Sequence, residues 1–301
     1  MRINYHEHAF QVSELLKGDE LDKVESSIKE FGDLYASGFE GYVDATPLFL
    51  GRNVEGLAKL MELTNLKVFP VTGFHHARHY AKPLREQVIN KGIDFWVEKI
   101  GLEIYTGMAY NENSYLTGDE INYSPIKAEV LKIGLQKNYT DFEPFTLNVI
   151  RDVYKNNPIA IKIHLDADSD QIEVCNRLIR LGFDPKNVVL AHVDRNIDFE
   201  IFEILASNGF FLGFDTFIRA KESEIARIYE AVLRFPNHVL IGGDLARSSR
   251  YLAYGGNPGL KYVAETVVKQ ILEISSEDLL SKVLVENPKR WLNSQNRKVE
   301  S

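Results

Sequence analysis

The sequence predicts a single-domain α/β protein, a (β/α)8 TIM barrel over residues 1–301, on three observations. Eight apolar, β-branched runs of strand length recur along the chain, each ending in polar or turn residues. Segments with apolar residues at three- and four-residue spacing fill most of the gaps, so strand and helix alternate. The chain length of 301 residues suits eight such units plus insertions, since barrels of this type typically need about 250.

The strand runs, in order, are RINYHEH, GYVDATP, KVFPVTGF, VLKIGLQ, IAIKIHL, VVLAHV, FFLGFDT and HVLIGGDL. Helical periodicity marks DELDKVESSIKEFGDLYASG after the first, NVEGLAKLMELT after the second, DQIEVCNRLIRLG after the fifth and ESEIARIYEAVLRF after the seventh. Residues 76–128, between the third and fourth strands, are too many for one crossover helix and predict an insertion of extra helices over one rim. After the eighth strand, GLKYVAETVVKQILEIS and SSEDLLSKVLVENPKRWL read as closing helices, with Pro288 suited to a helix start.

Composition narrows the class. A hydrophobic share of 45% with 26% charged residues supports a large core. No apolar run approaches the roughly 18 residues that span a bilayer, and MRINYHEHAF is too polar for a signal peptide, so the reading is a cytoplasmic protein without membrane contact. The single cysteine, Cys175, excludes an internal disulfide and lies on an amphipathic helical stretch as a small buried residue. A net charge of -8 argues against a nucleic-acid partner.

Reactive residues of such barrels sit at the C-terminal strand ends. His6 and His8, two residues apart on a strand, leave the same face and converge. Lys132 lies in the fourth strand, His164 ends the fifth, His192 the sixth and Asp244 the eighth. Imidazoles and a carboxylate at one rim are the donor set for a divalent metal. A lysine fits among them if burial neutralises it, because a neutral amine takes up carbon dioxide to form a carbamate, which ligates as a carboxylate does.

NYHEHAF, VDATPLFLGRN, FPVTGF, VLKIG, IKIHLD, LAHVDRN, GFDTF, GGDLAR, YGGNPGL and ENPKRWL, in that order over almost the whole chain, resemble the phosphotriesterase family of the amidohydrolase superfamily. The resemblance implies two divalent ions, zinc by default with manganese, cobalt or iron as alternatives. It implies that His6, His8 and Asp244 hold the more buried ion and His164 and His192 the more exposed one, with N6-carboxylated Lys132 bridging both. It also implies a hydrolase, foremost a lactonase, in which a metal-bridging hydroxide attacks the carbonyl and Asp244 carries the proton, and it makes a homodimer an expectation. Tyr5 stands where the family often has threonine, IHL replaces a frequent THT, GFHH replaces GFY, and no counterpart of the family's N-terminal extension precedes the first strand.

Cations gather in the late loops: Arg219 and Lys221 after the seventh strand, Arg247 and Arg250 after the eighth. They predict a small anionic substrate, a phosphorylated sugar lactone before others, although surface ion pairs with Glu222 and Glu224 would also account for them. A phosphotriesterase or an N-acyl homoserine lactone hydrolase would instead need an apolar pocket, and a non-catalytic metal-binding protein is the remaining class. His75, His76 and His79 either touch substrate or serve a solvated loop, whereas His238, at the opposite rim, is structural. Asp44 and Asp215 either orient a metal ligand or only pack.

Overall fold

The computed structural model describes residues 1–135 and 140–293. Eight strands follow one another around a single sheet in chain order: β1 (Ile3–Glu7), β2 (Gly41–Asp44), β3 (Lys67–Gly73), β4 (Val130–Leu135), β5 (Ala160–Leu165), β6 (Val188–Ala191), β7 (Phe211–Phe214) and β8 (Val239–Ile241). Every neighbouring pair is parallel. Between β8 and β1 the ring is drawn together by the Asp244 N–H, which donates to the His6 carbonyl at 3.0 Å. All eight sequence runs therefore form strands. Only Gln136, the last residue of VLKIGLQ, lies outside the described residues.

Apart from Lys67, every strand residue is buried, which is why the runs read as continuously apolar rather than alternating. Inward-facing Ile3, Tyr5, Val43, Phe69, Val71, Val130, Ala160, Val189, Phe211 and Leu240 form an inner cluster around Trp291. That tryptophan comes from the closing helix Asn287–Leu292 and plugs the N-terminal end of the barrel, its indole N–H donating to the Asn187 carbonyl at 3.0 Å. Outward-facing strand residues such as Leu131, Ile161, Leu190 and Leu212 join the larger core beneath the helices.

Helices α1 (Val24–Ala36) and α2 (Val54–Thr64) follow β1 and β2. The insertion between β3 and β4 carries α3 (Lys82–Lys91), α4 (Ile93–Tyr105) and the single turn α5 (Ser114–Thr117). It is pinned to the barrel by a buried bidentate pair, Arg52 to Glu103 at 2.6 and 2.9 Å, whose carboxylate also accepts from Thr72 and Tyr115. Helices α6 (Phe142–Asn156), α7 (Gln171–Arg180), α8 (Phe199–Ser207) and α9 (Glu222–Arg234) complete the outer layer. Among the described residues no helix is long and apolar enough to cross a membrane.

The first helix starts later than its sequence pattern implies. Residues 9–23 instead arch over the rim, held by the Gln11–Leu21 bridge and by Asp19, whose carboxylate accepts from Ser248 Oγ and the Ser249 N–H. Tertiary bonds to the loop after β8 outweigh the local helical preference there.

Candidate metal centre

The centre is built from the C-terminal ends of β1, β4, β5, β6 and β8. On β1, Tyr5 faces the barrel interior and the next residue, His6, also reaches the centre, which a regular two-residue alternation forbids. A register shift against β2 between Asn4 and Glu7 supplies the missing offset. His6 Nε2 and His8 Nε2 then stand 3.6 and 3.8 Å from the same Asp244 oxygen. Ligands each about 2.1 Å from a tetrahedral ion lie about 3.4 Å from one another, so this donor set fits a metal. His6 Nε2 has no hydrogen-bond partner, as a ligating atom requires.

On the other side, His192 Nε2 and His164 Nδ1 face each other at 2.7 Å. Lys132 on β4 has no exposed surface, and its Nζ donates to the Ala45 carbonyl at 2.5 Å. Burial lowers its pKa to about 8 against the opposing charge of Asp244, so the neutral amine is accessible. Burial also holds His6, His8, His164 and His192 well below the usual imidazole range, leaving them neutral. Asp244 behaves oppositely: burial raises it, but Arg219 and the neighbouring histidines keep it ionised and well below the usual carboxylate range.

Hydrogen bonds fix which nitrogen each histidine offers. Asp215 accepts from His6 Nδ1 at 2.8 Å through one oxygen and from His192 Nδ1 at 2.6 Å through the other, and also from the Tyr5 hydroxyl. Both Nε2 atoms are thereby left as lone pairs. The Thr46 hydroxyl gives its proton to the Phe10 carbonyl and so accepts from His8 Nδ1 at 2.8 Å. Asp215 thus has the orienting role. Asp44 does not bond an imidazole; it accepts from the Ala9 and Thr46 N–H groups and shapes the loop that carries Thr46. Two members of the centre, His192 (φ 67°) and Asp244 (φ 42°), sit in the left-handed region, a strained backbone of the kind found at functional sites.

A cavity of about 350 Å³ opens over the centre, bordered by His8, His75, His164, Asp244, Arg219 and Arg247. Arg247 borders the cavity with 41% of its side chain exposed and a 3.3 Å contact to Asp19. Arg219 is bound to the Asp244 carboxylate and, at 2.9 Å, to its carbonyl. Arg250 turns to the Leu245 carbonyl at 3.0 Å and Lys221, exposed, immediately precedes α9; neither borders the cavity. His76 is buried behind His75. His238 bonds the Phe210 carbonyl far from the centre, a structural role. Two cavity cations went unnoticed in the sequence, Arg78 and Arg195. Each lies three residues beyond a strand-end histidine, His75 or His192, a signal that attention to the late loops passed over.

The phosphotriesterase family matches residues 3–292. A phospho-furanose lactonase of Mycoplasmopsis synoviae is 25% identical over 291 residues, covering 89% of this chain and 80% of that protein. An N-acetyltaurine hydrolase of Bos taurus is 25% identical over 289 residues, covering 90% of this chain and 78% of its own. The crystal structure of a lactonase from Listeria monocytogenes superposes with a TM-score of 0.84 at 25% identity, covering 97% of this chain and 94% of the other.

Proposed function

The chain belongs to the phosphotriesterase family, and we propose that this metal-dependent hydrolase is a lactonase acting on a small anionic lactone, foremost a phosphorylated sugar lactone. The observation that carries the reading is the cavity itself: a metal-type donor set forms its floor while Arg78, Arg195 and Arg247 border it. Guanidinium forks match a phosphate, whereas an uncharged phosphotriester or a long acyl chain would make no use of their charge. The lactonases of Mycoplasmopsis synoviae and Listeria monocytogenes support the same class.

In this reading His6, His8 and Asp244 would hold one ion and His164 and His192 the other, with carboxylated Lys132 as a shared ligand. The two ions, zinc by default, would supply Lewis acidity to the substrate carbonyl and lower the pKa of the attacking water. Asp244, held ionised, accepts the proton that water loses as it adds to the carbonyl carbon. When the ring C–O bond breaks, Asp244 returns that proton to the leaving oxygen and the hydroxy acid departs. Arg219, bonded to the Asp244 carboxylate, limits its basicity and fixes its orientation. Arg247, Arg78 and Arg195 bind the anionic group.

The test is a substrate panel on the zinc-loaded protein. It comprises one sugar lactone with and without phosphate, an N-acyl homoserine lactone, a neutral phosphotriester and N-acetyltaurine. The phosphorylated lactone should give the highest kcat/KM. A preference for the long-chain lactone, the triester or the amide overturns the substrate assignment.

A further inference from the structure

We propose that the chain carries a third divalent-cation site, formed by His75, His76 and His164 on the wall between β3 and β5. The three rings form a near-equilateral triangle, with centroids 4.4, 4.7 and 4.9 Å apart. One ring nitrogen from each lies within 4.8 Å of those of the other two, and all three residues are buried.

The orphaned nitrogens point to a ligand. Neither nitrogen of His76 has a hydrogen-bond partner, and neither does His164 Nε2. The nearest carboxylate oxygen to His76, on Asp166, stands 3.7 Å from Nε2 and is engaged by Arg78 at 2.6 Å. Unpaired buried polar atoms are rare because each forfeits its hydration, so several at one spot call for an occupant. Space for His76 is maintained by Gly134, where a Cβ would stand 2.5 Å from the His76 backbone nitrogen and 2.9 Å from its Cγ.

His164 serves both centres only as a bridging imidazolate, its ring proton passing to solvent as the third ion binds. Nδ1 faces His192, while Nε2 is unpaired. His75 is the reluctant member: its Nδ1 accepts the His76 N–H at 2.7 Å, so ligation through Nε2 must displace either a proton or that bond. The third ion is therefore bound more weakly than the pair. Three imidazoles favour zinc, cobalt, nickel or copper over magnesium or calcium. His75 and His164 also border the cavity, so the ion's open position faces the substrate.

Metal counting tests the site and separates it from the binuclear reading. The full chain, equilibrated with excess zinc and desalted, should hold three ions by elemental analysis, and a mild chelator should remove one before the others. Titration with cobalt should show a third equivalent with its own visible absorption. His76→Gln and His76→Phe should hold two, and Lys132→Ala should lose ions from the pair while the absorption of the third remains. Two ions in the wild type, or three in both His76 variants, overturns the proposal. If the variants fail to fold, the cobalt count on the wild type decides alone. Fewer than two ions in the wild type would refute the binuclear reading along with the third site.

Discussion

Asp215→Asn tests how the histidines are held. The carboxylate takes the Tyr5 hydroxyl and His6 Nδ1 on one oxygen and His192 Nδ1 on the other. Asparagine keeps the shape but has one acceptor. With its oxygen left toward Tyr5 and His6, its NH2 meets His192 Nδ1, and two donors then oppose each other. His192 must move its proton to Nε2, which removes that atom as a ligand. Loss of such an orienting partner typically weakens metal affinity about 10- to 100-fold, equivalent to about 1.4–2.8 kcal/mol. The assay is competition for zinc against a chromophoric chelator, with kcat/KM measured afterwards at saturating metal. Tyr5→Phe, which removes one donor and no acceptor, should cost less. Zinc affinity within twofold of wild type in Asp215→Asn would refute the tautomer argument.

The other expectations are these. Lys132→Ala should lose most metal and activity, and short carboxylic acids added in solution should restore part of both by filling the vacated place; full occupancy in the variant would exclude a bridging role. Arg247→Met should lower kcat/KM for the phosphorylated lactone about 10- to 100-fold, the range for a charged hydrogen bond of about 1.5–3 kcal/mol, and leave its unphosphorylated twin nearly unchanged; equal losses on both would place Arg247 outside the anion pocket. Arg52→Met leaves Glu103 buried without its cation and should destabilise the fold by about 3–5 kcal/mol in denaturant unfolding, whereas a change below about 1 kcal/mol would show that Thr72 and Tyr115 suffice. Cys175, whose thiol burial pushes well up, should resist alkylation at pH 8 until the protein unfolds, and rapid native labelling would contradict its burial.

The barrel was legible because parallel strands covered on both faces leave continuous apolar runs, and five of the six ligand-type residues drew attention because each ends or nearly ends such a run, Lys132 lying mid-strand. What stayed hidden depends on contacts between segments distant in sequence. Thr46 is an unremarkable residue in VDATP until its hydroxyl, committed to the Phe10 carbonyl, becomes the acceptor for His8. Asp215 could be recognised as a strand-end carboxylate, but its hold on two histidines 209 and 23 residues away needs the closed ring of strands. The pairing of Tyr5 with His6 runs against period-two reasoning, because the shift that permits it lies in the β1–β2 register and leaves no mark in the residues themselves.

The same distinction explains the cations. A late-loop arginine is conspicuous in an acidic chain, yet position in sequence does not say whether a guanidinium is free. Arg219 is committed to Asp244 and Arg250 to a backbone carbonyl, whereas Arg247 keeps only a 3.3 Å contact to Asp19. Arg78, itself paired with Asp166, and Arg195 reach the cavity from other strands, after β3 and β6. An anion in the cavity would therefore be met from more than one side, which the late loops alone could not supply. That arrangement gathers arginines over the centre of a protein whose net charge is -8, so attraction of the proposed anionic substrate would be local to this mouth and should weaken with added salt.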